Sequence, residues 1–267
     1  MRKANWTCNG GRFKAESSQP WIAKRGLGMS DNLPIIEFPS AIVDLKYPLR
    51  QFRRALDGKG PVRIVAMGSS STAGRGDVVP YPYRLEMYLR QHYKDADPHP
   101  EIRIDVLNRG KGGEEASDEL RRFETDIFQD SPVLVIWQVG TNAVFHNDLY
   151  DVDVVAAKIG EGLAQLRDRG FEVLLIDPQY VTKMLWDDRA ELSDKMVQLI
   201  HAAADRAGVN LFQRWALMRH WHVQNGVSFE QLVDPTDPDK LHQSDWSTWQ
   251  VSLALKSAIV KAAGATS

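Results

Sequence analysis

The sequence predicts an α/β fold, a three-layer α/β/α sandwich around a parallel five-stranded sheet. Two observations carry this. Five short apolar runs alternate with longer segments whose apolar residues recur every three or four positions. The runs are apolar almost throughout, as strands covered on both faces of a parallel sheet must be.

VRIVAM at 62–67 is short, rich in β-branched residues and ends at Gly68, so it reads as a buried strand. From Tyr81, the positions Leu85, Tyr88, Leu89 and His92 follow helical spacing. IRIDVLN at 102–108 alternates and reads as the second strand. Ala116, Leu120, Phe123 and Ile127 are spaced four, three and four, which predicts a helix over 115–129. Pro132 opens the third strand, VLVIWQV at 133–139. Val152, Val155, Ala156, Ile159, Leu163 and Leu166 predict a helix closed by Gly170. VLLI at 173–176 is the fourth strand, stopped by Asp177-Pro178. Leu192, Met196, Leu199, Ile200 and Ala203 predict a long helix ending near Gly208, and VNLF at 209–212 a short last strand. A final helix runs from about Ser244 to Ala263. Right-handed crossovers leave few topologies, of which the flavodoxin-like order 2-1-3-4-5 suits this length.

Composition narrows the function. The 267 residues carry 33 Lys and Arg against 35 Asp and Glu, a net charge of -2, so no basic excess points to a nucleic-acid partner. Hydrophobic residues at 43% and charged residues at 25% suit a globular protein. No apolar run approaches the ~18 residues that span a bilayer. A single cysteine, Cys8, excludes an internal disulfide and a multi-cysteine zinc site. Residues 1–33 are polar, without hydrophobic period and without the apolar stretch of a secretory signal, so the expected location is cytoplasmic. They read either as an arm or as sequence preceding a start at Met29. The expected organisation is an N-terminal extension over 1–60, partly disordered or packed on the body, and one domain over 61–267. Apolar residues within 37–56 can pack on that body or on a second subunit; the oligomeric state is left open.

In such a sheet the site lies beyond the carboxyl ends of the strands. After the first strand comes Gly68-Ser69-Ser70-Ser71-Thr72-Ala73-Gly74. It fails the P-loop, the G-x-S-x-G elbow and the dinucleotide fingerprint, leaving a serine-rich turn. After the second comes Asn108-Arg109-Gly110-Lys111-Gly112-Gly113, whose glycines let main-chain N–H groups face a cavity. After the third comes Gly140-Thr141-Asn142-Ala143, with an amide able to donate into the cleft. Before the last helix stands Asp239-Lys240-Leu241-His242. A carboxylate there can accept the Nδ1–H of the histidine and leave Nε2 free as a base. Each alone reads as an ordinary turn, cap or solvated loop. Together they make a complete acyl-transfer constellation.

These blocks resemble those of the SGNH (GDSL-type) hydrolases from Val62 to the last helix. Gly68–Gly74 resembles the family's Gly-Asp-Ser-Leu-Thr-x-Gly and places the nucleophile at Ser70. Asn108-x-Gly110-x-Gly112-Gly113 resembles the second block and assigns an oxyanion N–H to Gly113. Gly140-Thr141-Asn142-Ala143 resembles Gly-x-Asn-Asp and assigns the amide donor to Asn142. Asp239-x-x-His242 resembles the last block and completes a Ser70–His242–Asp239 triad, with the Ser70 N–H as a third oxyanion donor. Ser69 and Ala143 stand where the family has Asp, and Gln138, His146 and Asp148 are candidate substitutes for the lost bracing.

The resemblance implies an esterase acting on a small O-acyl ester, such as an acetyl group on a saccharide, without metal or cofactor. Two other readings stay open: an acyltransferase on the same residues, and a non-catalytic module binding an anion or saccharide. Trp215, Trp221, Trp246 and Trp249 read first as core and second as pocket lining. His220 and His222 are two apart on a probable helix, on different faces, so a shared metal is not expected. Arg75, Asp77 and Tyr180 read as rim residues.

Overall fold

The computed structural model describes residues 36–58, 60–96, 103–186 and 189–265, without the side chains of 95–96. The chain divides into units 1–33 and 34–267, and every described residue lies in the second. The arm expected over 1–33 and the start at Met29 lie outside the described residues.

Two short helices lead, α1 (Ser40–Val43) and α2 (Arg50–Leu56). Then come β1 (Val62–Gly68), α3 (Ser70–Ala73), α4 (Tyr81–Ala96), β2 (Ile104–Gly110) and α5 (Ala116–Leu120). A π-helical turn, Glu124–Phe128, precedes β3 (Leu134–Gln138), α6 (Thr141–Phe145), α7 (Val152–Asp168) and β4 (Val173–Ile176). A 3-10 turn, Thr182–Met184, leads to α8 (Arg189–Ala207), β5 (Asn210–Phe212), α9 (Arg214–Val223), α10 (Phe229–Leu232) and α11 (Asp245–Gly264). The five strands pair in the order β2-β1-β3-β4-β5, every pair parallel, as the apolar runs predict.

The central strands are buried on both faces. Ile64, Leu134, Val135 and Ile136 are inaccessible, and Trp137 packs its ring edge-on against Phe123 at 5.1 Å. Helix starts follow their capping residues: the Asp151 carboxylate accepts the N–H groups of Asp153 and Val154, and the Ser244 hydroxyl that of Ser247. The single helix expected over 115–129 is two pieces. At the break, Arg122 donates to the Arg109 carbonyl at 2.9 Å and to Glu114 at 2.6 Å, tying mid-segment to the end of β2. Residues 36–56 pack on the body. Leu49 and Phe52 are fully buried, the Leu49 N–H donates to the Ala262 carbonyl, and Glu172, just before β4, caps the first turn of α2.

Among the tryptophans, Trp221 and Trp215 are core, Trp246 is half-buried and Trp249 is exposed. Among the described residues no helix is long and apolar enough to cross a membrane.

Candidate active site

Ser70 is the first residue of α3, just past the end of β1. The first N–H groups of a helix have no intrahelical acceptor, so the main-chain N–H of Ser70 has none within α3. The turn is held from below by Gly110 at the end of β2. A Cβ on Gly110 would lie 2.2 Å from the Ala73 nitrogen and 2.6 Å from the Thr72 carbonyl carbon. Only glycine lets β2 come this close to the serine turn.

His242 reaches Ser70 across 172 residues, with Nε2 2.9 Å from Oγ. On its far side Nδ1 lies 2.9 Å from Oδ2 of Asp237. The expected partner, Asp239, does not occupy this place: its side chain is exposed, and its own N–H donates to Asp237 Oδ1 at 3.3 Å. The turn decides this. The Asp237 N–H donates to the Asp234 carbonyl, the Lys240 N–H to the Asp237 carbonyl, and Lys240 takes a φ of 54°. The chain therefore wraps around the Asp237 carboxylate, which also accepts the N–H groups of Leu241 and His242 at 2.9 and 2.8 Å. Burial works to raise this carboxyl, and the main-chain N–H and ring of His242 with the Leu241 N–H outweigh it, holding it at about 2.

The second glycine-rich loop comes up beside the serine turn. Gly112 is beside the serine; a Cβ there would sit 3.8 Å from the Ser70 Cβ. Gly113 follows with a φ of 81° on the turn closed by the Glu114 N–H to the Lys111 carbonyl. Asn142, in α6, is buried and donates one amide hydrogen to the Glu114 carbonyl at 2.7 Å. An amide nitrogen carries two hydrogens, so one remains.

Two side chains brace the loops that carry Ser69 and Ala143. Glu115, at the start of α5, accepts the N–H of Ala143 at 2.7 Å, of Gly140 at 3.2 Å and of Ala116 at 3.0 Å. A carboxylate from the second loop thus braces the third, where Ala143 has none of its own. Burial raises this carboxyl against those three donors. On the serine turn, Gln138 Oε1 accepts from the Ser69 and Thr72 hydroxyls, each at 3.4 Å. Gln179, which the sequence reading missed, ties three loops. Its Oε1 accepts from Ser71 and Thr141 at 3.3 and 3.2 Å, and its Nε2 donates to the Leu241 carbonyl at 3.1 Å. Of the other candidate substitutes, His146 meets the Phe145 ring edge-on and Asp148 is exposed.

Arg75, read as a rim residue, reaches the dyad: its Nη1 is 2.5 Å from Asp237 Oδ1 and 2.7 Å from His242 Nδ1. Tyr180 meets Trp215 edge-on and stacks with Phe229, off the end of β4. His220 contacts Glu37 and His222 the Val227 carbonyl, and among the described residues no His, Cys, Asp or Glu cluster is placed to hold a metal ion.

Sheet, serine turn and histidine loop together have the architecture of an SGNH-like hydrolase. The chain belongs to the non-GDSL lipase-like family, whose profile matches residues 36–265. That description suits a serine turn reading Ser69-Ser70-Ser71. Two solved structures share the fold. One is LAE5, an alpha/beta hydrolase enzyme from the metagenome of Lake Arreo, Spain, at a TM-score of 0.59 and 20% identity over 78% of this chain and 98% of that one. The other is Axe2, an acetylxylan esterase from Geobacillus stearothermophilus, at 0.59 and 19% over 78% and 97%. The catalytic variants of that esterase change a serine, an aspartate and a histidine. A stretch of 86 residues, 32% of this chain, is 30% identical to the uncharacterized lipoprotein YqeF of Bacillus subtilis (strain 168); the match spans about a third of that relative's length, 34%.

Proposed function

We propose that this protein is a serine hydrolase cleaving a small O-acyl ester through an acyl-enzyme. The observation that carries the reading is the continuous chain of contacts Ser70 Oγ–His242 Nε2 and His242 Nδ1–Asp237 Oδ2, each 2.9 Å. His242 takes the hydroxyl proton as Ser70 Oγ attacks the ester carbonyl, and Asp237 stabilises the imidazolium. The tetrahedral oxyanion is met by the main-chain N–H groups of Ser70 and Gly113 and the second amide hydrogen of Asn142. Collapse breaks the ester C–O bond, the imidazolium proton goes to the leaving alkoxide, and Ser70 holds the acyl group. Water, deprotonated by His242, then attacks the acyl carbon and releases the acid.

The groove beside Ser70 is small and walled by Val78, Pro80 and Thr248, which suits a short acyl group. The acetylxylan esterase neighbour supports an acetyl group on a saccharide. The test is hydrolysis of p-nitrophenyl acetate and octanoate by the protein and by Ser70→Ala. Acetate turnover that disappears in the variant is expected; turnover surviving in the variant overturns the assignment of Ser70.

A further inference from the structure

Arg75 makes two contacts with the dyad that do not fit its resting role in one protonation state. Its Nη1 lies 2.7 Å from His242 Nδ1 while that same nitrogen lies 2.9 Å from Asp237 Oδ2. A ring nitrogen has one in-plane site, filled either by a hydrogen or by a lone pair, whereas guanidinium nitrogens only donate. With the hydrogen on Nδ1, as a base at Nε2 requires, two N–H donors face each other at 2.7 Å. With a lone pair on Nδ1, Arg75 can donate to it, but that lone pair then faces the Asp237 Oδ2 at 2.9 Å, and the hydrogen sits on Nε2, which can no longer take the Ser70 proton. The imidazolium formed during acyl transfer would also sit against a guanidinium. The productive dyad therefore needs Arg75 withdrawn from Nδ1.

The surroundings allow withdrawal. Arg75 stands between Gly74 and Gly76, with φ of 95° and 57°, and its side chain is 39% accessible. Asp237 does not depend on it, because the N–H groups of Asp239, Leu241 and His242 still serve its carboxylate. Arg75 also lines the groove at Ser70 and His242, so a bound ester lies within its reach.

We propose that Arg75 selects the substrate. It rests on His242 and Asp237, and a carboxylate carried by the ester draws it off in a paired hydrogen bond, freeing the base, so the site favours esters that bear a carboxylate. This rests on the serine-hydrolase reading above. A neutral ester meets only the fraction of molecules in which Arg75 has already left, and turns over more slowly by that fraction.

The experiment compares 4-acetoxyphenylacetate with its neutral amide, on the protein and on Arg75→Met. Expected is a kcat/KM preference for the carboxylate of ~10-fold or more, falling to within about twofold in the variant. Equal preference in both proteins overturns the proposal. Absence of Ser70-dependent turnover on either ester overturns the hydrolase reading, and nitrogen NMR of the His242 ring then decides the role of Arg75 by itself. The share of neutral ring with its hydrogen on Nδ1 is expected to rise, relative to the native protein alone, both in Arg75→Met and after adding 4-hydroxyphenylacetate to the native protein. The same share under all three conditions, or an equal response to the neutral 4-hydroxyphenylacetamide, overturns it.

Discussion

Asp237 holds His242 twice: its Oδ2 accepts the main-chain N–H at 2.8 Å and stands 2.9 Å from the ring Nδ1. The one carboxylate shapes the loop and orients the base. Asp237→Asn should lower kcat roughly 10³–10⁴-fold by disturbing the tautomer. Asp239→Asn, changed at the exposed position, should stay within about threefold, in the range of surface substitutions. Steady-state kinetics on p-nitrophenyl acetate with both variants checks this, and the reverse ranking would restore Asp239.

Asn142→Ala removes the amide that the proposed mechanism uses as an oxyanion donor. A loss of about 10²–10³ in kcat is expected, with KM little changed. It also leaves the Glu114 carbonyl without its donor, so the melting temperature must be measured beside the rate. A loss under tenfold with the fold intact would remove Asn142 from the oxyanion site.

Gly110→Ala tests the close approach under the serine turn. The clash is with main chain, which cannot step aside as a side chain can. A destabilisation of ~1–3 kcal/mol in urea unfolding is expected, with kcat lowered in the molecules that still fold. An unchanged midpoint and rate would mean that β2 can retreat.

Glu119 is fully buried and accepts the Trp137 indole N–H at 2.6 Å. Burial first, and the charge of Glu115 second, raise its carboxyl well above the ordinary range. The folded state therefore holds this proton more tightly than the unfolded chain, so its contribution to stability declines as pH rises above the ordinary glutamate value of ~4.3. Glu119→Gln keeps an acceptor for Trp137 and cannot ionise. Its melting temperature should exceed that of the native protein at pH 8, and the gain should vanish near pH 4. Asp237 has the opposite sign: its stabilisation is present above the ordinary aspartate value of ~3.9 and is lost as pH falls toward about 2. Calorimetry across pH 4–8 reads the first effect.

Much of the fold is legible because burial on both faces writes itself into consecutive residues: VLLI at 173–176 is strand β4 to the residue. Ser70, His242 and Asn142 are legible because they follow strand ends or precede the last helix. Asp237 is not. Asp234, Asp237, Asp239 and Asp245 look alike in a row, and the choice among them is made by a turn at Lys240 whose φ of 54° no side-chain pattern announces. Glu115 opens the helix predicted over 115–129 and caps it; that its second oxygen crosses to Ala143 depends on the packing of two loops 28 residues apart. Gln179 carries no local signal beyond following Asp177-Pro178, since an amide side chain is equally at home in any loop.

That same amide has a consequence for how the molecule comes to life. Gln179 joins Ser71, 108 residues earlier, to Thr141 and to Leu241, 62 residues later. None of these contacts can form until β1, β3 and β4 are paired and the last loop has come home. Contacts so distant in sequence form slowly and belong with the global transition. Recovery of turnover on refolding should therefore keep time with completion of the whole sheet, and a chain shortened before Leu241 should be inert however much of its secondary structure it keeps.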